Sequence, residues 1–251
     1  MLTELSPFLF FCIALFYSSV GFGGGSSYLA ILSLITSDFY EIRSSALILN
    51  ITVVSINIIM SVRNNVFNWK LFWPFLILSI PLAYLGATMK LSTHVFFILL
   101  GSLLIFSGLS LISRFLKTKA SNRKLRLRTK LSIGGSLGFL AGISGIGGGI
   151  FLSPFLNMIS WANTRTIAVL ASVFIFFNSI SGLIGLRISN TLVVNLPLLL
   201  KLVCAVFLGG VVGSFFSTKY LKRNHIGMLT AVLVIYVGIR LLLLHGFNVR
   251  I

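Results

Sequence analysis

Two runs of glycine lie inside apolar sequence, Gly21-Phe22-Gly23-Gly24-Gly25 near the start and Gly145-Ile146-Gly147-Gly148-Gly149 half the chain later. Glycine destabilises a helix interior, so three together amid apolar residues break a helix. Such a break carries chemistry. Where one half-helix stops and another starts, backbone N–H groups lose their intrahelical partners. Those opening the outgoing half-helix point along the positive end of its dipole, which binds an anion without a lysine. Gly23, Gly24, Gly25, Ser26 and Ser27 form one such start, and Gly147, Gly148 and Gly149 the other. The two could face one oxyanion. Asn50, Asn57, Ser144, Ser172 and Asn178 are further uncharged donors at depth. Neutral donors hold a desolvated anion and still let it leave. The competing fates are helix–helix packing for the glycines and bonds to their own helix carbonyls for the serines.

The elements that must position these residues are membrane helices. The chain is 57% hydrophobic and 9% charged, with a mean hydropathy of +1.07. A soluble domain carries about 25% charged residues. Several apolar stretches exceed the roughly 20 residues that cross a bilayer as a helix, and the alternation of a membrane barrel is not seen.

Residues 6–36 are too long for one straight crossing and too short for two, so the glycine run makes this segment broken or re-entrant. Asp38-Phe39-Tyr40-Glu41-Ile42-Arg43 reads as an interfacial loop, followed by helices at about 43–62, 69–89 and 93–115. The second half repeats the plan: a broken segment over 131–160, a loop at Trp161-Ala162-Asn163-Thr164-Arg165, and helices at about 166–187, 194–218 and 225–246. The expected organisation is therefore an all-α polytopic membrane protein of two homologous repeats, 1–115 and 131–251, joined by a basic linker at 116–130. Each repeat has one glycine-broken segment and three transmembrane helices. If the broken segments are re-entrant, the repeats are inverted, and the basic residues then concentrate on one side. That bias favours the inverted arrangement and puts the linker in the cytoplasm.

A net charge of +17 invites a nucleic-acid reading, but eight of the twenty basic residues fall between Arg114 and Lys130 and most others flank apolar runs. Topology and lipid headgroups explain that distribution, so no nucleic-acid partner is expected. Cys12 and Cys204 read as buried packing thiols, and no metal or cofactor spacing occurs. The N-terminus lacks the basic region and cleavage site of a removable signal peptide. Arg43 and Arg165 follow the two broken segments and read as interfacial anchors that could also draw anions to a vestibule. Lys201 falls inside a predicted span, where it is either buried and functional or snorkels to the surface.

Gly142-Ile143-Ser144-Gly145 matches the GxSG of rhomboid-type intramembrane proteases, but no histidine lies mid-helix to serve as base. The glycine runs also lack the final glycine of a dinucleotide loop and the lysine of a P-loop. A non-transporting membrane scaffold or assembly factor remains as an alternative.

The stretch Gly142-Ile143-Ser144-Gly145-Ile146-Gly147-Gly148-Gly149-Ile150-Phe151-Leu152-Ser153-Pro154, with Ala168-Val169-Leu170-Ala171-Ser172 after it, resembles the signature of the TauE/SafE family of sulfite and organosulfonate exporters. The first copy departs from it: no proline stands where the second has Pro154, and Asn50 stands near the expected serine. The resemblance implies a multi-pass protein of the cell membrane that exports a small anion such as sulfite or an organosulfonate. No enzymatic activity or cofactor is implied, and whether the chain forms a homo-oligomer is left open. With no carboxylate deep in any span, a carboxylate proton relay has no candidate. A dianion leaving a negative cytoplasm gains about 4.6 kcal/mol per 100 mV, so the expected drive is membrane potential rather than a proton gradient.

Overall fold

The computed structural model describes residues 2–36, 38–89, 92–115, 125–159 and 161–216, with isolated helical positions between 232 and 243. Regular structure among them is entirely helical: α1 (Leu2–Val20), α2 (Gly25–Ile35), α3 (Phe39–Arg63), α4 (Trp69–Thr88), α5 (Thr93–Phe115), α6 (Leu127–Ser144), α7 (Gly149–Met158), α8 (Thr164–Ile188) and α9 (Leu196–Phe216). Of these, α3, α4, α8 and α9 are long and apolar enough to cross a membrane. The helix expected at 225–246 and most of the 116–130 linker lie outside the described residues.

Both apolar runs break at the glycines, for a local reason. Gly21 takes a left-handed φ of 83°, and its N–H bonds Ser18 O while that of Phe22 bonds Tyr17 O. This pair of bonds is the Schellman termination, which only glycine adopts without strain. Gly145 (φ 73°) ends α6 by the simpler route, its N–H on Ala141 O.

Three boundaries differ from expectation. α3 begins at Phe39 rather than near 43, because Asp38 Oδ1 accepts the Tyr40 N–H at 2.9 Å and caps the helix. Asn163 does the same for α8 through the Thr166 N–H at 2.7 Å, so that the last two residues of the expected 161–165 loop are helical. α6 starts at Leu127, so the last residues assigned to the linker are its first turn. α3 and α8 also end alike, on left-handed Asn65 and Asn190 in matching Schellman bonds (Val66 N–H to Ser61 O, Thr191 N–H to Leu186 O), and each is 25 residues long.

The broken segments lean on helices of the other half of the chain. Gly134, Gly138 and Gly142 of α6 step along Phe75, Ser79 and Ala83 of α4, and a methyl on Gly138 would lie 2.5 Å from Ser79 O. Gly209 and Gly213 of α9 step along Phe11 and Leu15 of α1 in the same manner. Small residues at this spacing let membrane helices approach backbone to backbone. Beyond α7 the chain returns to where α6 began: the Trp161 ring lies edge-on to Phe75 at 5.2 Å, and Lys130 Nζ sits 5.9 Å from Trp161. α3 occupies the middle, packed on α8 and α9.

Candidate functional site

The two glycine runs meet at one side chain. Asn50, close to the midpoint of α3 and fully buried, donates from Nδ2 to Ile146 O at 3.1 Å. A methyl on Gly23 would lie 2.8 Å from Asn50 Oδ1, and one on Gly25 would lie 2.7 Å from Ile146 O and closer still to Asn50 Nδ2. A methyl on Gly147 would sit 3.0 Å from Ser179 Oγ and 3.4 Å from Asn50 Nδ2. Glycine is therefore required here by close approach as much as by conformation.

The outgoing half-helices start at this crossing. α2 and α7 are capped by Gly24 and Gly148, at φ 84° and 80°, and neither has a side-chain cap. A methyl on Gly24 would meet the Tyr28 ring at 2.9 Å, one on Gly148 the methyl of Ala141 at 2.8 Å, and one on Gly149 the Ile175 side chain at 2.5 Å. Uncapped helix starts present N–H groups and positive dipole ends. Asn50 Oδ1 and Ser179 Oγ, both buried beside Gly23 and Gly147, have no partner among the described residues.

Other expected donors are already engaged, apart from the buried Nδ2 of Asn178, which has no partner among the described residues. Ser26 and Ser27 share hydrogen bonds with the Tyr17 hydroxyl at 3.2 and 2.9 Å. Ser144 Oγ donates to Leu140 O at 2.7 Å within its own helix, the competing fate for a membrane serine. Ser172 ties the first glycine turn to the second half, donating to Gly21 O at 2.8 Å. Asn57 Nδ2 donates to Phe22 O at 3.3 Å, while its Oδ1 is within hydrogen-bond distance of Ser18 and Ser214. Asn178 lies on the other side of α8, where its Oδ1 accepts from Ser79 Oγ of α4.

Several residues differ from expectation. Arg43 is no interfacial anchor: its side chain is fully buried, because α3 starts earlier and carries it one turn inside. Arg165 is exposed and lines an open depression of about 390 Å³ with Asn65, Asn68, Asn163 and Thr166. Lys201 is exposed on the outer side of α9, which removes the case for a buried charge. Cys204 is exposed rather than buried, and Cys12 is half-buried. Sequence reading missed Ser179; the signal available was its spacing of seven residues from Ser172 along one face of α8.

Among the described residues, four apolar helices long enough to span a bilayer, with two glycine turns packed between helices, mark the chain as a membrane protein. The family model described as sulfite exporter TauE/SafE matches residues 7–241, and the chain belongs to that family. A probable membrane transporter protein of Sinorhizobium fredii is 32% identical over 238 residues, covering 93% of this chain and 95% of that protein. A second, of Methanocaldococcus jannaschii, is 30% identical over 191 residues, 72% of this chain and 71% of its own length. No solved structure matches the chain.

Proposed function

We propose that this protein exports a small oxyanion, sulfite or an organosulfonate, across the cell membrane through a site where the two glycine runs cross. The observation that carries this is the meeting of Gly23, Gly25, Ile146 and Gly147 around Asn50, with α2 and α7 both starting there uncapped. Oriented N–H groups and amide or hydroxyl donors at this crossing can bind an anion without a charged side chain.

Two inverted repeats supply the frame. Support for this reading is the like capping and like ending of α3 and α8, and the exchange by which α6 follows α4 while α1 follows α9. With α6 and α7 beginning and ending at one end of α4, the second broken segment enters and leaves on one side. By the same reasoning α1 and α2 enter from the opposite side. The end that gathers Arg63, Lys70, Arg126, Arg128, Lys130 and Arg165 is then cytoplasmic. The depression beside Arg165 is the inner vestibule.

The drive is membrane potential. The test is efflux from proteoliposomes across a panel of small anions, with potential and pH gradient imposed separately. Sulfonate or sulfite flux that follows the potential is expected. Flux that follows only the pH gradient removes the uniport reading, and no flux of any panel anion removes export. Proteolysis has no supporting observation, since Ser144 donates to its own helix and His94 is exposed at the start of α5.

A further inference from the structure

The largest fully buried side chain of the described residues is a cation, Arg43. Its Nη2 donates to Gly142 O at 2.8 Å and to Ala87 O at 3.4 Å, the final turns of α6 and α4. Nε and Nη1 are buried and have no partner among the described residues. No carboxylate pairs with it; Tyr40 lies near it, as do the Phe96 ring at 5.9 Å and the Gly145 turn, where a methyl would lie 3.1 Å from Arg43 Cγ. A guanidinium is charged at physiological pH and carries five donors, so leaving two nitrogens unbonded inside apolar surroundings is costly.

The other glycine turn is seated without a cation. The corresponding residue of α8 is Ala168, which packs on Gly21 as Arg43 packs on Gly145, its methyl 2.9 Å from where a Gly21 methyl would be. One glycine turn is thus seated on an alanine and the other on a buried arginine. Arg43 also falls seven residues before Asn50, and Asn50 seven before Asn57. Residues seven apart share a helix face, and on α3 this places a guanidinium and two amides in one buried stripe past the crossing of the glycine runs.

We propose that Arg43 is a second binding station for a small oxyanion, about 10 Å along α3 from Asn50. The inference rests on the export reading for its role in passage, though not for binding itself. The two helix ends matter to how the station works. Each C-terminus carries roughly half a negative charge, so together they offset the guanidinium while leaving its free N–H groups in place. An anion is then held by directed donors and not by an uncompensated charge, which is the condition for leaving again. The station lies toward the end of α3 opposite the Arg165 vestibule, on the outward half of the path.

The test uses the purified full chain and the anions methanesulfonate, sulfite and sulfate, read as stabilisation against heat, with efflux from proteoliposomes in parallel. The oxyanions are expected to stabilise the wild type, and Arg43→Gln is expected to weaken apparent affinity roughly ten- to hundredfold, the worth of a charge-assisted hydrogen bond. Arg43→Lys keeps the charge and the reach to Gly142 O but not the fork of donors, and falls between. If the glutamine variant does not fold, the lysine variant decides, and wild-type affinity in it overturns the station. Oxyanion binding unchanged in Arg43→Gln, or absent from the wild type, also overturns it. Wild-type flux that persists in Arg43→Gln removes the station and leaves export standing. Arg43-dependent binding without any flux supports the station and removes export.

Discussion

Replacing Gly25 by alanine is the sharpest probe of the crossing, because the usual objection to altering a glycine does not apply. Gly25 is the first residue of α2 and does not have a left-handed backbone, so alanine brings no conformational strain and is the better helix former. What the methyl meets is the other glycine run: Ile146 O at 2.7 Å, Asn50 Oδ1 at 2.8 Å and Asn50 Nδ2 closer still. Relief requires a shift of about half an ångström or more between the two turns, or rotation of Asn50 away from its bond to Ile146 O. Overpacking of this kind costs about 1–3 kcal/mol, and the lost hydrogen bond about 1 more. For a chain of this size that lowers the unfolding midpoint by roughly 2–4 °C per kcal/mol. Anion flux should fall by more than the stability loss explains, since the donors at the crossing are displaced in protein that is still folded. Gly182→Ala is the matched control: among the described residues its methyl meets only the Leu47 side chain, at 3.2 Å. Thermal unfolding in detergent and efflux at a fixed temperature read both effects. Wild-type flux and midpoint in Gly25→Ala would refute the crossing as a site and as a tight contact.

Gly148→Ala combines a left-handed backbone with a methyl 2.8 Å from both Ala141 Cβ and Phe174, and should lose about 2–5 kcal/mol, seen as an unfolding midpoint well below that of the wild type. Gly138→Leu drives a side chain into the Ser79 backbone and should abolish folded monodisperse protein, judged by size-exclusion chromatography. Ser144→Ala removes a bond to Leu140 O at 2.7 Å and a longer one, 3.4 Å, that Oγ accepts from the Ile146 N–H, so flux should stay within about twofold of wild type; a large loss would return Ser144 to the site. Arg165→Gln at the vestibule should slow uptake of anions from the cytoplasmic side at low ionic strength and lose that effect near 0.5 M salt, where the Debye length falls to about 4 Å.

What was legible in the sequence followed from local rules. Glycine runs break helices wherever they stand, so both breaks fell where the residues placed them, and the long helices followed from apolar length alone. Helix starts were missed where a polar cap stood outside the apolar run: Asp38 and Asn163 each begin a helix that hydropathy alone places later. That shift had a consequence for the site, since it carried Arg43 from an expected surface into the interior. Side-chain roles were the least legible, because a membrane serine has several acceptors within reach. Ser144 turned to its own helix, Ser26 and Ser27 to Tyr17, and Ser172 to the opposite glycine turn. Only the fold decides among these, since the last two pairings join residues from separate helices.

The departures between the two halves are where the proposed function concentrates. The frame treats the halves alike in capping, helix ends and the leaning of each broken segment on the other half. The polar stripe does not: α3 carries Arg43, Asn50 and Asn57, while the places on α8 that seat the corresponding glycines hold Ala168 and Ile175. A symmetric donor set would bind an anion best at the centre and hold it there. In the proposed path, donors distributed along one helix instead offer an anion successive partners, first the amide and backbone groups at the crossing and then the guanidinium beyond it. Each partner is partly satisfied by carbonyl oxygens already, Asn50 by Ile146 and Arg43 by Gly142, which keeps either from becoming a trap. Inverted halves supply the two-sided frame in this reading, and the divergence of α3 from α8 supplies the path through it.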